Sequence, residues 1–208
     1  MIQKTFAVTG ASRSYGADVV NVLRNQGHIV YDIQRHIRPL MDELFDTDLE
    51  LKNWVSCDFM QAHEVVGVAT GLLEGKVKLD GVVHAVAHCE DLDTRLLSTH
   101  DMSKHFIVNV FGPLLLTVYL QQAAVLKRGA RVIFLLDQRK LPLEKIMYAA
   151  SKASTRAIVS EFAPLFDGID FLYVSLPDRR SDRADDADTR IVQFLTRAEV
   201  PKDKHIIL

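Results

Sequence analysis

Only two cysteines, Cys57 and Cys89, occur in the 208 residues. They form no metal-type spacing, which argues against a zinc-organised or disulfide-stapled scaffold, and they read as free thiols of a reducing compartment. An excess of one charge is also lacking: 25 basic and 27 acidic residues leave a formal net charge of -2. There is no basic tract to suit nucleic acid and no acidic tail to suit disorder. No charged leader precedes a hydrophobic region, because a strand-like run, Thr5-Phe6-Ala7-Val8-Thr9, comes almost at once; this predicts no signal peptide. The longest apolar stretch, around residues 108–125, is interrupted by Asn109, Gln121 and Gln122. That pattern predicts a buried helix rather than a membrane span. Internal repeats and low-complexity linkers are absent as well. The expectation is one soluble, cytoplasmic domain over residues 1–208, with no nucleic-acid and no membrane partner.

What is present is an alternation of short β-rich runs with helical patterns, the rhythm of βαβ units and a parallel sheet. Strands are predicted at 5–9, 29–33, 54–57, 81–87, 131–136, 171–175 and 205–208. Several are continuous apolar runs, as strands covered on both faces require. Helices are predicted at 15–25, 64–73, 104–126, 145–166 and 189–195, the last with Asp188 as N-cap. The fold class is therefore α/β: a doubly wound parallel sheet of about seven strands, flanked by helices on both faces. The charge-dense stretch 178–188 reads as a mobile surface loop.

Two motifs carry chemistry. The first strand runs into Thr9-Gly10-Ala11-Ser12-Arg13-Ser14-Tyr15-Gly16 and then a helix. A glycine-containing turn there lets the backbone approach a pyrophosphate, which the helix N-terminus favours with unpaired N–H groups and its positive dipole end. The second motif is Tyr148-Ala149-Ala150-Ser151-Lys152, followed by Ala153-Ser154. Tyr148 and Lys152, at i and i+4, share a helix face. A nearby ammonium is expected to lower the tyrosine pKa, so that the phenol can exchange a proton with a substrate oxygen.

Together these motifs resemble the short-chain dehydrogenase/reductase family, whose first turn reads T-G-x-x-x-G-x-G and whose active-site helix carries Y-x-x-x-K. The resemblance covers almost the whole chain up to Pro177 and implies a Rossmann-type fold and a nicotinamide dinucleotide. It implies cofactor contacts at Gly10, Ser12, Arg13, Ser14, Tyr15, Gly16, Asp58, Phe59, Ala85, Val86, Tyr148, Lys152 and Pro177. Asp58 corresponds to the family aspartate that bonds the adenine amine. Gln34, at the end of the second strand, stands where NAD-using relatives are acidic, and Arg35 follows it. A neutral residue beside an arginine suits a 2′-phosphate, and Arg13 adds a second basic group, so NADP(H) is favoured over NAD(H). Asp32, two residues earlier, is read as pointing elsewhere. The implied catalytic set is Tyr148 as acid/base, Lys152 as its partner and holder of the nicotinamide ribose, Asn109 as anchor of a proton-relay water, and Asp137.

Departures from the family pattern are equally specific. Ser14 replaces the middle glycine of the turn. Asp137 stands where the family has its catalytic serine; pteridine reductases of the family carry an aspartate there, which points to a pteridine-like substrate as one option beside a plain carbonyl or alcohol. A carboxylate there would also raise the tyrosine pKa unless offset. His84-Ala85-Val86-Ala87 replaces N-N-A-G, losing the asparagine that ties neighbouring strands. His84 and His88 do not converge as metal ligands, so no metal is expected. Leu176-Pro177-Asp178 replaces a P-G turn, and the region after it is short, predicting a shallow, open substrate pocket. Two functions stay open: an NADP(H)-dependent oxidoreductase acting on a small molecule, or a weakly active or inactive dinucleotide-binding sensor or scaffold. By resemblance, a homodimer or homotetramer packs through helices 104–126 and 145–166.

Overall fold

The structure is a computed structural model that describes residues 2–35, 53–92, 95, 98–137, 139, 141–177, 186–197, 199, 201 and 203–208. Its frame is a seven-stranded sheet: β1 (Thr5–Thr9), β2 (Ile29–Gln34), β3 (Trp54–Ser56), β4 (Leu79–His84), β5 (Leu126–Asp137), β6 (Asp170–Leu176) and β7 (His205–Ile207). The strand order is β3-β2-β1-β4-β5-β6-β7, and every pairing is parallel. The order reverses between β1 and β4, so the connections that leave these strands diverge and open a crevice at their carboxyl ends.

Two apolar layers close the sheet. On one face α2 (Ala62–Glu74), α4 (Gly112–Gln122) and α5 (Ile146–Phe162) bring Val65, Leu72, Leu116, Leu120 and Val159 against Val82, Val132 and Phe134. On the other, α1 (Ser14–Asn25) and α6 (Ala187–Thr196) bring Val19, Leu23, Ile191 and Leu195 against Phe6, Val8, Ile133 and Leu172. Because both faces are covered, central strands have no polar side. That is why β5 reads buried from Ala130 to Leu136 instead of alternating.

Several boundaries differ from the sequence expectation. The fourth strand ends at His84, not at residue 87, and residues 85–87 run on as irregular backbone into the crevice. The helix expected at 104–126 begins earlier, at α3 (Thr99–Phe106), passes through a π-helical turn (Ile107–Phe111) and continues as α4. Ser98 caps α3 in a box with Asp101, a start signal that hydrophobic periodicity overlooked. Leu126, expected at that helix's end, opens β5. The helix expected at 145–166 is α5 flanked by single 3₁₀ turns (Leu143–Lys145 and Ala163–Leu165). Asp188 is not the N-cap of α6: the helix starts at Ala187 with Asp186 as N-cap, and Asp188 accepts from the Thr189 N–H within the first turn. Of the expected loop 178–188, residues 178–185 lie outside the described residues. The stretch Thr99–Gln122 is the one described helical segment long and apolar enough to cross a membrane, yet half of its most apolar window is packed inside the fold.

Candidate active site

A cavity of about 560 Å³ occupies the crevice, within the range of small-molecule sites. One end is the turn after β1. Gly10 takes φ +70°, and a Cβ there would come within 2.5 Å of Val86 Cα, so the turn can lie against the end of β4 only as glycine. Gly16 is fixed by a similar squeeze: a Cβ would lie 2.4 Å from the Gly10 carbonyl oxygen. Ser14, at the family's middle glycine, adopts φ 60°. A side chain in this left-handed region costs about 1–2 kcal/mol, so the backbone has kept glycine geometry without glycine. The helix that follows is left open to an anion. Its N-cap, Arg13, makes no side-chain cap bond, and no acidic residue occupies its first turn.

The cavity lining unites most of the residues singled out from sequence: Gly10, Ser12, Arg13, Ser14 and Tyr15 from the turn; Gln34 and Arg35 after β2; Asp58 and Phe59 after β3; Ala85 and Val86 after β4; then Asp137, Tyr148, Lys152 and Pro177. Gly16 and Asn109 do not line it. Gly16 supports the turn from beneath, and Asn109 is buried behind the wall. Asp32 is also buried and outside the lining, where it accepts a hydrogen bond of 2.7 Å from the Gln34 side chain. Burial lifts its carboxyl above the usual range, although the Gln34 bond opposes this. Asp58 uses one carboxylate oxygen to accept from the Met60 N–H at 2.9 Å. Tyr15 donates to the Pro177 carbonyl at 3.2 Å, joining the two rims.

At the far end, β5 delivers Asp137 and α5 delivers Tyr148 and Lys152. The Tyr148 hydroxyl donates to Asp137 Oδ2 at 3.0 Å. Burial, then the Asp137 charge and that hydrogen bond, push the phenol well above its ordinary pKa. This corrects the expectation that Lys152 would lower it. The Lys152 ammonium instead donates to the carbonyls of Val86 (2.9 Å) and Leu135 (3.2 Å), and burial brings it down to about 8. Asp137 itself ends below the usual carboxylate range: burial raises it, but bonds from Arg139 outweigh the burial.

Asn109 sits in the π-helical turn, the sort of irregularity that often marks functional helices. Its Oδ1 accepts from the His88 N–H at 2.6 Å, and its Nδ2 donates to the His88 carbonyl (2.9 Å) and Ser151 Oγ (2.8 Å). Ser151 in turn donates to the Tyr148 carbonyl. The asparagine therefore clamps the segment after β4 to the active-site helix, and no bond joins it to the lysine side chain. His84 has replaced the lost strand-tying asparagine: its Nδ1 lies 3.4 Å from Thr9 Oγ1 on β1 and its Nε2 2.8 Å from Thr117 Oγ1 on α4. His88 faces elsewhere, its ring 4.6 Å from that of His105.

Sequence reasoning missed Arg139, His88, Cys89 and Glu90, all of which line the cavity. Arg139 had one available signal, a cation two residues beyond a strand-ending carboxylate. The segment 88–90 had none, because its place depends on Asn109 holding the His88 backbone.

The family model described as short chain dehydrogenase matches residues 4–166. The chain belongs to that family. It is an oxidoreductase of the short chain dehydrogenase group, whose members bind a nicotinamide dinucleotide. No curated protein matches the chain. Among solved structures, a metagenomic short-chain oxidoreductase in complex with NADP superposes with a TM-score of 0.81 at 19% identity, covering 99% of this chain and 96% of its own. A short-chain dehydrogenase from Streptomyces avermitilis gives 0.76 at 19% identity, covering 100% and 89%. A short-chain dehydrogenase/reductase from Serratia marcescens BCRC 10948 gives 0.73 at 18% identity, covering 99% and 95%. At these identities the likeness speaks for the fold alone.

Proposed function

We propose that this short chain dehydrogenase is an NADP(H)-dependent reductase of a small polar carbonyl or pteridine-like substrate. The observation that carries this reading is that Asp137, Tyr148 and Lys152 meet at one end of the same cavity that begins at the uncapped N-terminus of α1. The residues fit a dinucleotide laid along it. The α1 N-terminus and the Gly10–Gly16 turn would hold the pyrophosphate. Arg35 and Arg13, beside the uncharged Gln34, would hold a 2′-phosphate through guanidinium donors. Asp58 and Phe59 would flank the adenine, Ala85 and Val86 would leave room for the adenosine, and Lys152 would hold the nicotinamide ribose. When bound, the cofactor supplies or accepts the hydride.

The chain's own residues handle the proton. Burial and Asp137 keep Tyr148 a neutral phenol, the protonated form that can turn from Asp137 and give its proton to the alkoxide oxygen formed as a carbonyl is reduced. The polar wall of Asp137, Arg139 and Glu90 favours a substrate with hydrogen-bonding edges over a bulky apolar one; a pterin ring satisfies this, as does a small polar ketone or aldehyde. Free thiols at Cys57 and Cys89 accord with a cytoplasmic setting. The exposed apolar residues Met102, Phe111, Ile146, Phe162 and Leu165 lie along or beside the helices through which a homodimer or homotetramer would pack.

The test is a parallel titration with NADPH and NADH, read by nicotinamide fluorescence and thermal shift. Carbonyl and pterin substrates are then screened with the tighter cofactor. Selective stabilisation by NADPH is expected. Equal binding would refute the NADP(H) preference, and binding of neither would move the scaffold reading ahead.

A further inference from the structure

We propose that Arg139 is a positioning residue of the acid–base site, holding Asp137 ionised and in a fixed plane so that its carboxylate remains a hydrogen-bond acceptor for Tyr148. The inference deepens the proposed function, on which its catalytic meaning rests. Its basis is the geometry at the end of β5. The Asp137 side chain is only 8% exposed. Arg139 Nε donates to both carboxylate oxygens, at 2.8 and 3.1 Å, Nη2 donates to Oδ2, and the Arg139 backbone N–H donates to Oδ1 at 3.1 Å. A further bond to this carboxylate comes from the Tyr148 hydroxyl. A guanidinium fork sets the plane of a carboxylate in a way that a point charge does not.

An enclosed carboxylate without a counter-charge takes up a proton. A protonated Asp137 would gain an O–H donor and keep only neutral acceptor oxygens, and the Tyr148 hydroxyl would lose the charged acceptor that orients it. Among the described residues, the charged and titratable groups facing Asp137 are few. From α5 come Tyr148 and Lys152, and the ammonium is engaged with the Val86 and Leu135 carbonyls. From the segment after β4 comes Cys89, which lines the same cavity. Among the described residues, Arg139 is the cation bonded directly to the carboxylate, and its bonds bring Asp137 below the usual range despite burial. Arg139 touches no reacting atom in this scheme. It acts through Asp137, which keeps Tyr148 supplied with an acceptor.

The experiment follows the carboxyl ¹³C signal of Asp137 in the cofactor-free protein, assigned with D137N, through an acid titration of wild type, R139A, R139Q and R139K. The wild-type midpoint should lie below the ordinary value of about 3.9. R139A and R139Q should raise it by about one pH unit or more, and R139K should recover part of the shift, since it keeps the charge and loses the fork. The acid limb of kcat/KM for the NADPH-dependent reaction should move upward with it in R139A. An Asp137 midpoint unmoved in both R139A and R139Q overturns the proposal, whatever happens to Tm. Failure to bind NADPH would sink the functional reading, whereas the carboxyl titration needs no cofactor and tests the role of Arg139 separately.

Discussion

Mild acid should strip stability from the base of the cofactor crevice, and His84 is the residue through which this can be measured. Its ring is enclosed between β1 and α4. The Thr117 hydroxyl donates to the Pro113 carbonyl at 3.0 Å, so its oxygen accepts from His84 Nε2–H, and Nδ1 is left as acceptor for Thr9. The native ring is thus neutral with both nitrogens engaged. Burial first, and the Lys152 charge second, push its pKa down to about 3, against about 6.5 for an unfolded histidine. Between those values the unfolded chain binds the proton and the native protein does not, so stability is full above pH 6.5 and falls as pH drops through that window. From pH 7 to pH 5.5 the linkage amounts to about 1.3 kcal/mol, or about 3–5 °C in Tm for a chain of this size. His28 and His88 are also lowered by burial and add loss of the same sign. The decisive comparison is therefore wild type against H84N, which keeps an amide at the site and cannot titrate. Urea unfolding followed by circular dichroism at pH 7 and pH 5.5 should show the variant losing about 1.3 kcal/mol less than wild type. Equal acid losses in the two proteins would refute the reasoning.

Three further outcomes are expected. Tyr148→Phe should abolish turnover while leaving NADPH affinity nearly intact by fluorescence titration; retained turnover would remove Tyr148 from the chemistry. Arg35→Ala should weaken NADPH by about tenfold, as expected for loss of one charge-assisted bond in a solvent-exposed setting, and leave NADH almost unaffected; equal losses would mean that Arg35 does not read the 2′-phosphate. Ser14→Gly should relieve the left-handed backbone at φ 60° and raise stability by up to about 1 kcal/mol, read as Tm. A fall in Tm would mean that the serine makes a compensating contact.

The sheet was legible because its signals are local and redundant. Continuous apolar runs at β1, β4, β5 and β6 require cover on both faces, and the alternation with helical patterns admits few topologies. The boundaries that slipped did so where a tertiary contact overrides the local pattern. The fourth strand stops at His84 because β1, its neighbour, ends at Thr9: the Ala85 N–H still bonds the Thr9 carbonyl, and beyond it the chain turns into the crevice. The long central helix breaks into a π-helical turn at Asn109, whose amide is needed by the His88 backbone 21 residues earlier. Apolar periodicity alone reports neither constraint.

The site was legible as a set of residue types and not as a set of ionisation states. Tyr148, Lys152 and Asp137 could be placed together from the helical spacing and the strand end, and the cavity does gather them. Spacing suggested that Lys152 would lower the phenol pKa, but burial and the Asp137 charge dominate the shift, and the ammonium is directed to backbone carbonyls instead of the phenol oxygen. Here the segment after β4 and the strand β5 offer the Val86 and Leu135 carbonyls within 3.2 Å, and the strongest charge acting on the phenol becomes the carboxylate that stands at the serine position. That carboxylate would be unfavourable in an enclosed pocket, and Arg139 makes it tolerable by pairing with it. An aspartate at the end of β5, with an arginine two residues on, thus converts a hydroxyl-based site into an ion-paired one. The same backbone then keeps the tyrosine in its protonated form, so that at neutral pH the group is present as a phenol and not as a phenolate base.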